Sequence, residues 1–546
     1  MRQRLGARGW GARAWGVVAG PVAARLLLPA FLAASTLGSS GCAVSDSDVH
    51  RWETTESGPE KLYAIVGHDK YAWPLRDEAA LSLIRMHSRN GKRVGLEYLV
   101  IGYDTPQGRV PGALAVLSES ARRHIVDDIA PKLVEAMAAP PPAKPGDGTL
   151  SPDPSIPYKD AAFGLLSHEP PLVSNEATKS DLIAALTQWV QTDFEERIDN
   201  GTQQFGVEQI MRFIGAPAVK QLPSSINETS AKVDRACALM ADIGDDDTKK
   251  RASDALVALG KHVDSSDWMD KQRALVLEAN QKAKINPTAA QVNDQLKQYQ
   301  EQELERVFTN IKRVGGRPAV DFCLAYAHDK TKSEKMRTDA LAALENRVDK
   351  SNPNDVNIIF DIVRDDTNPD KVRGVAMARL GELPKDMVVA RLYTLFDKKW
   401  QVRLDAARMI LKSIATRDVP DFMHHLPAND KTKMALSEPI TYGALILAMD
   451  PQGGPKPRDV LNSFLQSNEL GARMTAAGSY YTAKKAEAGV LSALAEDKGA
   501  VPKCDPADQC GWSCDVPKGP GSADKETKTI ATVGDFVRWC IEPSLQ

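Results

Sequence analysis

The chain has 546 residues, more than one hydrophobic core normally serves, so several domains or one elongated array are expected. Apolar residues at 42% and charged residues at 26% are ordinary for a globular protein, whereas aromatics at 6% suit Ala- and Leu-rich helices better than β-sandwiches. A formal net charge of -3 argues against nucleic acid as a partner, because its binders carry a basic patch or stripe.

At the start, Arg2, Arg4, Arg8, Arg13 and Arg25 precede the apolar run Leu26 to Leu37, which ends in Gly38-Ser39-Ser40-Gly41-Cys42. A basic region, a short apolar stretch and small residues make a secretion signal, and the run is too short to span a bilayer. Small residues closing on Gly-Cys resemble a bacterial lipoprotein signal. That resemblance implies that residues 1–41 are a signal peptide and that Cys42 is the lipidated first residue of the mature chain. It further implies a lipid-anchored place in the bacterial cell envelope, facing the periplasm or the surface, and the absence of an acid at Ala43 and Val44 favours the outer membrane. Removing 1–41 takes away five arginines and no acid, so the formal charge falls from -3 to -8. Polar residues 42–58 are expected to form a flexible tether.

The N-terminal helical repeats are expected over 59–138. Lys61 to Val66 reads as a short helix, Gly67-His68-Asp69 as a turn, and Leu75-Arg76 with Ala79 and Leu83 as a second helix. An apolar residue, an Arg, then apolar positions three and seven residues beyond it place one stripe on a helix, with the Arg in its first turn. Ala113–Leu117 and Ser120–Met137 also read as helical, and the Pro-rich segment 139–158 as a loop. Within 159–500 the pattern returns at Met336-Arg337 with Ala340 and Leu344, at Val372-Arg373 with Ala376 and Leu380, and at Val402-Arg403 with Ala406 and Ile410. A fifth copy is Ala472-Arg473 with Ala476 and Tyr480. Recurrence at a few tens of residues is the signature of stacked helical pairs. Residues Thr288 to Arg313 make a longer, more polar helix, either a lengthened repeat helix or a projection.

Ile214-Gly-Ala-Pro217-Ala-Val and a helix ending Ile243-Gly-Asp245 resemble the HEAT and HEAT-like repeats, whose units end one helix with Gly and restart the next with Pro. Left-handed Gly closes a helix, and Pro is tolerated in a first turn. The resemblance implies an all-α fold, an α-solenoid built as a right-handed superhelix of antiparallel helix pairs. It also implies a stacking ladder, in which an Asp in the turn precedes the Arg by about six residues. Asp397 and Arg403 fit that spacing, Asp366 with Arg373 and Asp69 with Arg76 stand at seven, and Asp329 with Arg337 at eight; before Arg473 the place is taken by Ser467.

Residues 501–546 hold Cys504, Cys510, Cys514 and Cys540, whose spacings are not those of a zinc site. In an exported chain they read as two disulfides stapling a C-terminal cap, with three pairings open. Cys237 and Cys323 lie in apolar runs and read as buried, inert thiols. No phosphate loop, G-x-S-x-G or H-E-x-x-H occurs, and His424-His425 would point about 100° apart on a helix. The Asp245–Asp247 and Asp365-Asp366 runs sit where acids cap helices. No catalytic residue, metal or cofactor is therefore expected. The function expected is a non-enzymatic, envelope-anchored scaffold presenting its repeats to a protein or peptide. Two alternatives remain: an accessory enzyme, since some HEAT-like proteins resemble phycobilin lyases, and a cell-wall or polysaccharide binder.

Overall fold

The computed structural model describes residues 44–89, 91–141, 153–197, 203–429, 433–481, 489–502, 510–519 and 522–545. The expected signal peptide, Cys42 and Cys504 lie outside them, as does most of the Pro-rich segment.

Helices dominate, and they stack. Gly58–Gly67 packs on Trp73–Arg85, which packs on Glu119–Ala138, which in turn meets Ile156–Ser167 and Glu176–Gln191. From residue 317 the pairing is regular: Arg317–His328 with Glu334–Ala343, then Pro353–Arg364 with Asp370–Leu380. The first helices of these two pairs also touch each other, and so do the second helices. That arrangement is an α-solenoid, in which each unit buries its apolar face against its neighbours. The stack continues through Trp400–Ser413, Ser437–Leu447 and Leu470–Gly478. One apolar cluster runs through it from Val49 to Ile541.

The repeated stripe explains why these segments are helices and how they face. Ala79, Leu83, Ala340, Leu344, Ala376, Leu380, Ala406 and Ile410 are all buried. Small Ala at the contact lets helices approach closely, and the Leu or Ile one turn later fills the space between units. Glycines allow such an approach between Ser437–Leu447 and Leu470–Gly478. A Cβ on Gly443 would stand 2.5 Å from the Ser479 backbone nitrogen, and one on Gly478 would stand 2.7 Å from the Pro439 carbonyl oxygen.

Helix ends follow local chemistry. The side chains of Asp245, Ser265, Thr288 and Ser333 each accept the backbone N–H three residues on. Gly215, at φ 84°, ends Val207–Ile214, and Pro217 restarts the chain. Gly244 departs from the left-handed closure: its backbone is extended, and Asp245 caps the next helix.

Three features differ from expectation or decide between expectations. The flexible tether over 42–58 is corrected from residue 45 onward. Asp46–Trp52 is a helix opened by a Ser45/Asp48 capping box, its Val49 is fully buried, and Glu53 behind it accepts from Ser82 and Arg85. The polar helix Ala289–Val314 proves to be both of its alternatives. Its second half buries Leu304, Val307, Phe308 and Ile311 in the main core, whereas Val292 and Leu296 in its first half form a separate small cluster with Val276 and Met269 of Ser266–Lys282. Two small hairpins also interrupt the helices, Tyr103–Thr105 with Gly108–Val110 and Ser513–Pro517 with Lys525–Thr529.

The second hairpin belongs to the cap. Cys514 on it is joined to Cys540, in the helical turn after Val533–Phe536, and Cys510 is disulfide-bonded as well. Trp512 Nε1 donates to the Met434 carbonyl at 2.7 Å and Leu436 N to the Cys510 carbonyl at 2.9 Å, so the cap is fastened to the last repeats. Among the described residues no helix is long and apolar enough to cross a membrane.

Candidate functional site

The five pattern arginines come first, because they are the most repeated polar feature. Each sits in the first turn of its helix, where its guanidinium can reach back to the helix before. Arg76 Nε and Nη2 both donate to the Val66 carbonyl, at 3.0 and 2.9 Å, and Arg337 Nε donates to the Ala327 carbonyl at 2.8 Å. Arg403 Nη1 donates to Phe396 and Lys398, both at 3.2 Å, and Arg473 Nη1 to Ser467 at 2.5 Å. The last carbonyls of a helix have no partner within it, and Arg76 and Arg337 supply one, whereas Arg403 and Arg473 bond carbonyls of the turn that follows the preceding helix.

Their acids are mostly not those that spacing assigns. Arg373 Nη1 does meet Asp366, at 3.3 Å, and Asp370 as well. The other three pairs are corrected. Asp69 is 97% exposed and faces His68, Asp329 accepts from Thr331, and Arg403 takes Glu438 in place of Asp397. The links run forward, into the next unit: Arg337 Nη2 to Asn368 at 2.7 Å, Arg403 to both oxygens of Glu438 at 2.6 and 3.0 Å, and Arg473 Nε to Asp497 at 2.8 Å. Glu438 is completely buried and also accepts from Tyr442 Oη and Ala435 N. Burial works against the charge on Arg403, but the bonds to Glu438 outweigh it and raise the guanidinium pKa. These are structural clamps, whose donors go to groups of the protein itself except for the buried Nε of Arg373, which has no partner among the described residues.

Chemistry-bearing groups do gather at one place the sequence reading missed. Asp77, on Trp73–Arg85, meets His124 and Asp128, which lie one turn apart on Glu119–Ala138, and one ligand atom from each falls within 4.8 Å of the other two. Burial pushes the Asp77 carboxyl up to about 6, the Asp128 carboxylate adds to that, and His124 opposes it. The Trp73 ring lies 4.2 Å from the imidazole of His124. Around them open shallow depressions lined by Trp73, Arg76, Ser120 and Arg123. The signal in sequence was only His124-x-x-x-Asp128, an i,i+4 pair; the third member comes from another helix.

Other candidate groups are engaged within the fold. Lys159 is fully buried, donating to Asp160 and to the Phe205 carbonyl, both at 2.6 Å, and burial brings its pKa down to about 8. Burial pushes the thiol of Cys237 up to about 12 and raises that of Cys323, so both are poor nucleophiles. His424 pairs with Glu469, and His425 stacks on Tyr393, so the two part company.

Apolar exposure concentrates on the projecting hairpin Ser266–Lys282/Ala289–Val314. Leu275 at 50%, Leu277 at 48%, Ile285 at 55% and Tyr299 at 40% are open to solvent.

No family model matches the chain, and no curated protein matches it. Solved structures do overlap with it weakly. They include Kap121p, at TM-score 0.26 and 12% identity over 83% of this chain and 41% of that one. Importin beta gives 0.24 and 13% over 83% and 55%, and the RNA-binding domain of yeast Puf5p bound to SMX2 RNA gives 0.21 and 11% over 79% and 96%. The chain thus spans about 41% of the length of Kap121p. Overlap of this size is one of stacked helices, and nothing about this chain's own partners follows from it.

Proposed function

We propose that the chain is a non-enzymatic interaction scaffold, tethered to a bacterial envelope membrane through Cys42 and presenting its helical repeats to a protein or peptide partner. The observation that carries this reading is the projecting hairpin. Its far half contributes nothing to the main core, yet it holds four large apolar side chains in water. Exposed apolar side chains gathered on one element mark interaction surfaces more often than they serve folding. A formal charge of -8 after removal of residues 1–41 favours a protein partner over a nucleic acid. The tether rests on the Gly41-Cys42 signal and on the helix that begins at Asp46, which leaves only a few residues between lipid and folded body.

The test is a comparative co-purification from detergent-solubilised envelope. Wild type is set beside the triple variant Leu275→Ser, Leu277→Ser, Ile285→Ser, with circular dichroism confirming that both are folded. A partner retained by wild type and lost from the variant supports the reading. Identical partner sets remove the hairpin from it, and a Cys42→Ser chain that still enters the membrane fraction removes the anchor.

A further inference from the structure

We propose that Asp77, His124 and Asp128 bind one divalent transition-metal ion, best matched by zinc, and that the ion ties Trp73–Arg85 to Glu119–Ala138. The donor set is one imidazole nitrogen and two carboxylate oxygens from two packed helices. His124 and Asp128 are one helical turn apart and so project to the same side. His124 Nε2 stands 3.4 Å from Asp128 Oδ2. Two ligands bonded at 2.0 to 2.1 Å to a tetrahedral zinc are about 3.3 Å apart, so this edge of the site is already at its metal-bound length. Asp77 approaches from the facing helix and closes the triangle.

A second observation points to a ligand there. Asp77 Oδ1 and His124 Nε2 are both sealed from solvent without a well-formed hydrogen bond: His124 Nε2 meets Asp128 only at 3.4 Å, and the Asp77 carboxyl faces the like-charged Asp128. Buried polar atoms are mostly paired, and leaving one unpaired is unfavourable. A cation between them satisfies both, and it also relieves the repulsion between the two carboxylates. Competing cations are engaged elsewhere: Arg76 by the Val66 carbonyl, and Arg123 by Asp127 at 3.5 Å.

The donor set narrows the metal. An imidazole nitrogen suits zinc, nickel or copper, whereas calcium and magnesium prefer all-oxygen sites. Trp73 packs against the imidazole and restrains its plane. Asp128 is exposed, so the fourth position opens toward solvent and takes a water.

The purified chain is equilibrated with zinc chloride, bound metal is counted by elemental analysis, and affinity is measured by calorimetry. His124→Ala, Asp77→Asn, Asp128→Asn and a remote control, His262→Ala, are run beside it. One zinc per chain is expected for wild type and for His262→Ala, with a raised Tm. Loss of about 100-fold in affinity is expected for His124→Ala and at least about tenfold for either Asp variant. Cobalt(II) added in place of zinc should give a visible absorption band that is absent in His124→Ala. Equal uptake by wild type and His124→Ala overturns the proposal. Should His124→Ala fail to fold, unchanged zinc affinity in Asp128→Asn, whose side chain is exposed, overturns it equally. A calcium response as large as that to zinc overturns the assignment to a transition metal.

Discussion

Arg403 and Arg76 stand at the same place in the same local pattern, and both are buried, yet their surroundings differ. Arg403 is closed on all sides, by carbonyls of the preceding turn and by a buried carboxylate from the following unit. Arg76 has the Val66 carbonyl, with the Trp73 ring 4.3 Å from its guanidinium, and the acid that spacing gave it turns out to water. Position in the helix is a local property and repeats at all five arginines, and the bond back to a carbonyl repeats at Arg76, Arg337, Arg403 and Arg473. Charge compensation is a tertiary property and is solved anew at each junction. At the N-terminal junction the link between helices falls to the Asp77, His124 and Asp128 cluster.

The largest loss is expected at Arg403. Arg403→Ala leaves Glu438 buried and without its cation, so a loss of about 3–5 kcal/mol is expected by denaturant titration. The paired replacement Arg403→Met with Glu438→Leu should recover most of that loss, and a double variant as unstable as the single one would deny that the charge pair is the cause. Lys159 differs from both arginines, because its compensation depends on pH. Its folded pKa of about 8 lies below the ordinary lysine value of 10.5, so burial disfavours the charged form. The unfolded chain therefore binds more protons between pH 8 and 10.5, and Lys159's unfavourable contribution is fully present below pH 8 and relieved above it. Lys159→Met compared with wild type at pH 7 and pH 10 should show the difference in stability shifting toward wild type by roughly 2–3 kcal/mol. A constant difference would mean that Asp160 compensates Lys159 fully.

A smaller effect is expected at the N-terminal junction. Arg76→Met removes the donors to one carbonyl and leaves no buried carboxylate stranded, so the cost should be about 1–2 kcal/mol. A loss equal to that at Arg403 would erase the distinction between the two junctions. Smallest of all is Gly374→Ala, beside Arg373. A methyl group there meets open space within a helix, and the change should raise stability by about 0.5–1 kcal/mol, read as a higher Tm.

Much of the architecture was legible because it is local. The Ala and Leu stripe, the Gly-Pro restarts and the arginine in each first turn depend on neighbours a few residues away. The acid partners were not legible: Glu438 lies 35 residues beyond Arg403, and only packing brings the two together. For the same reason the metal-ligand cluster was not legible: His124 and Asp128 share one helix face, but Asp77 comes to them from another helix. The helix at Asp46 was missed because only Val49 of its short, polar stretch is fully buried. The cap's hairpin was missed because its strands, Ser513–Pro517 and Lys525–Thr529, are largely exposed and carry no apolar alternation.

The long helix Ala289–Val314 has a mechanical consequence. Its 26 residues form one uninterrupted rod of roughly 39 Å, rooted by Leu304, Phe308 and Ile311 and free of the stack at its other end. It contains neither Pro nor Gly, and so has no joint at which a bend could be absorbed. A load on the tip is therefore delivered as torque at Phe308, where the Phe322 and Tyr326 rings of the next unit press against it. What touches the outermost turn pushes, through a lever, on the seam between repeats.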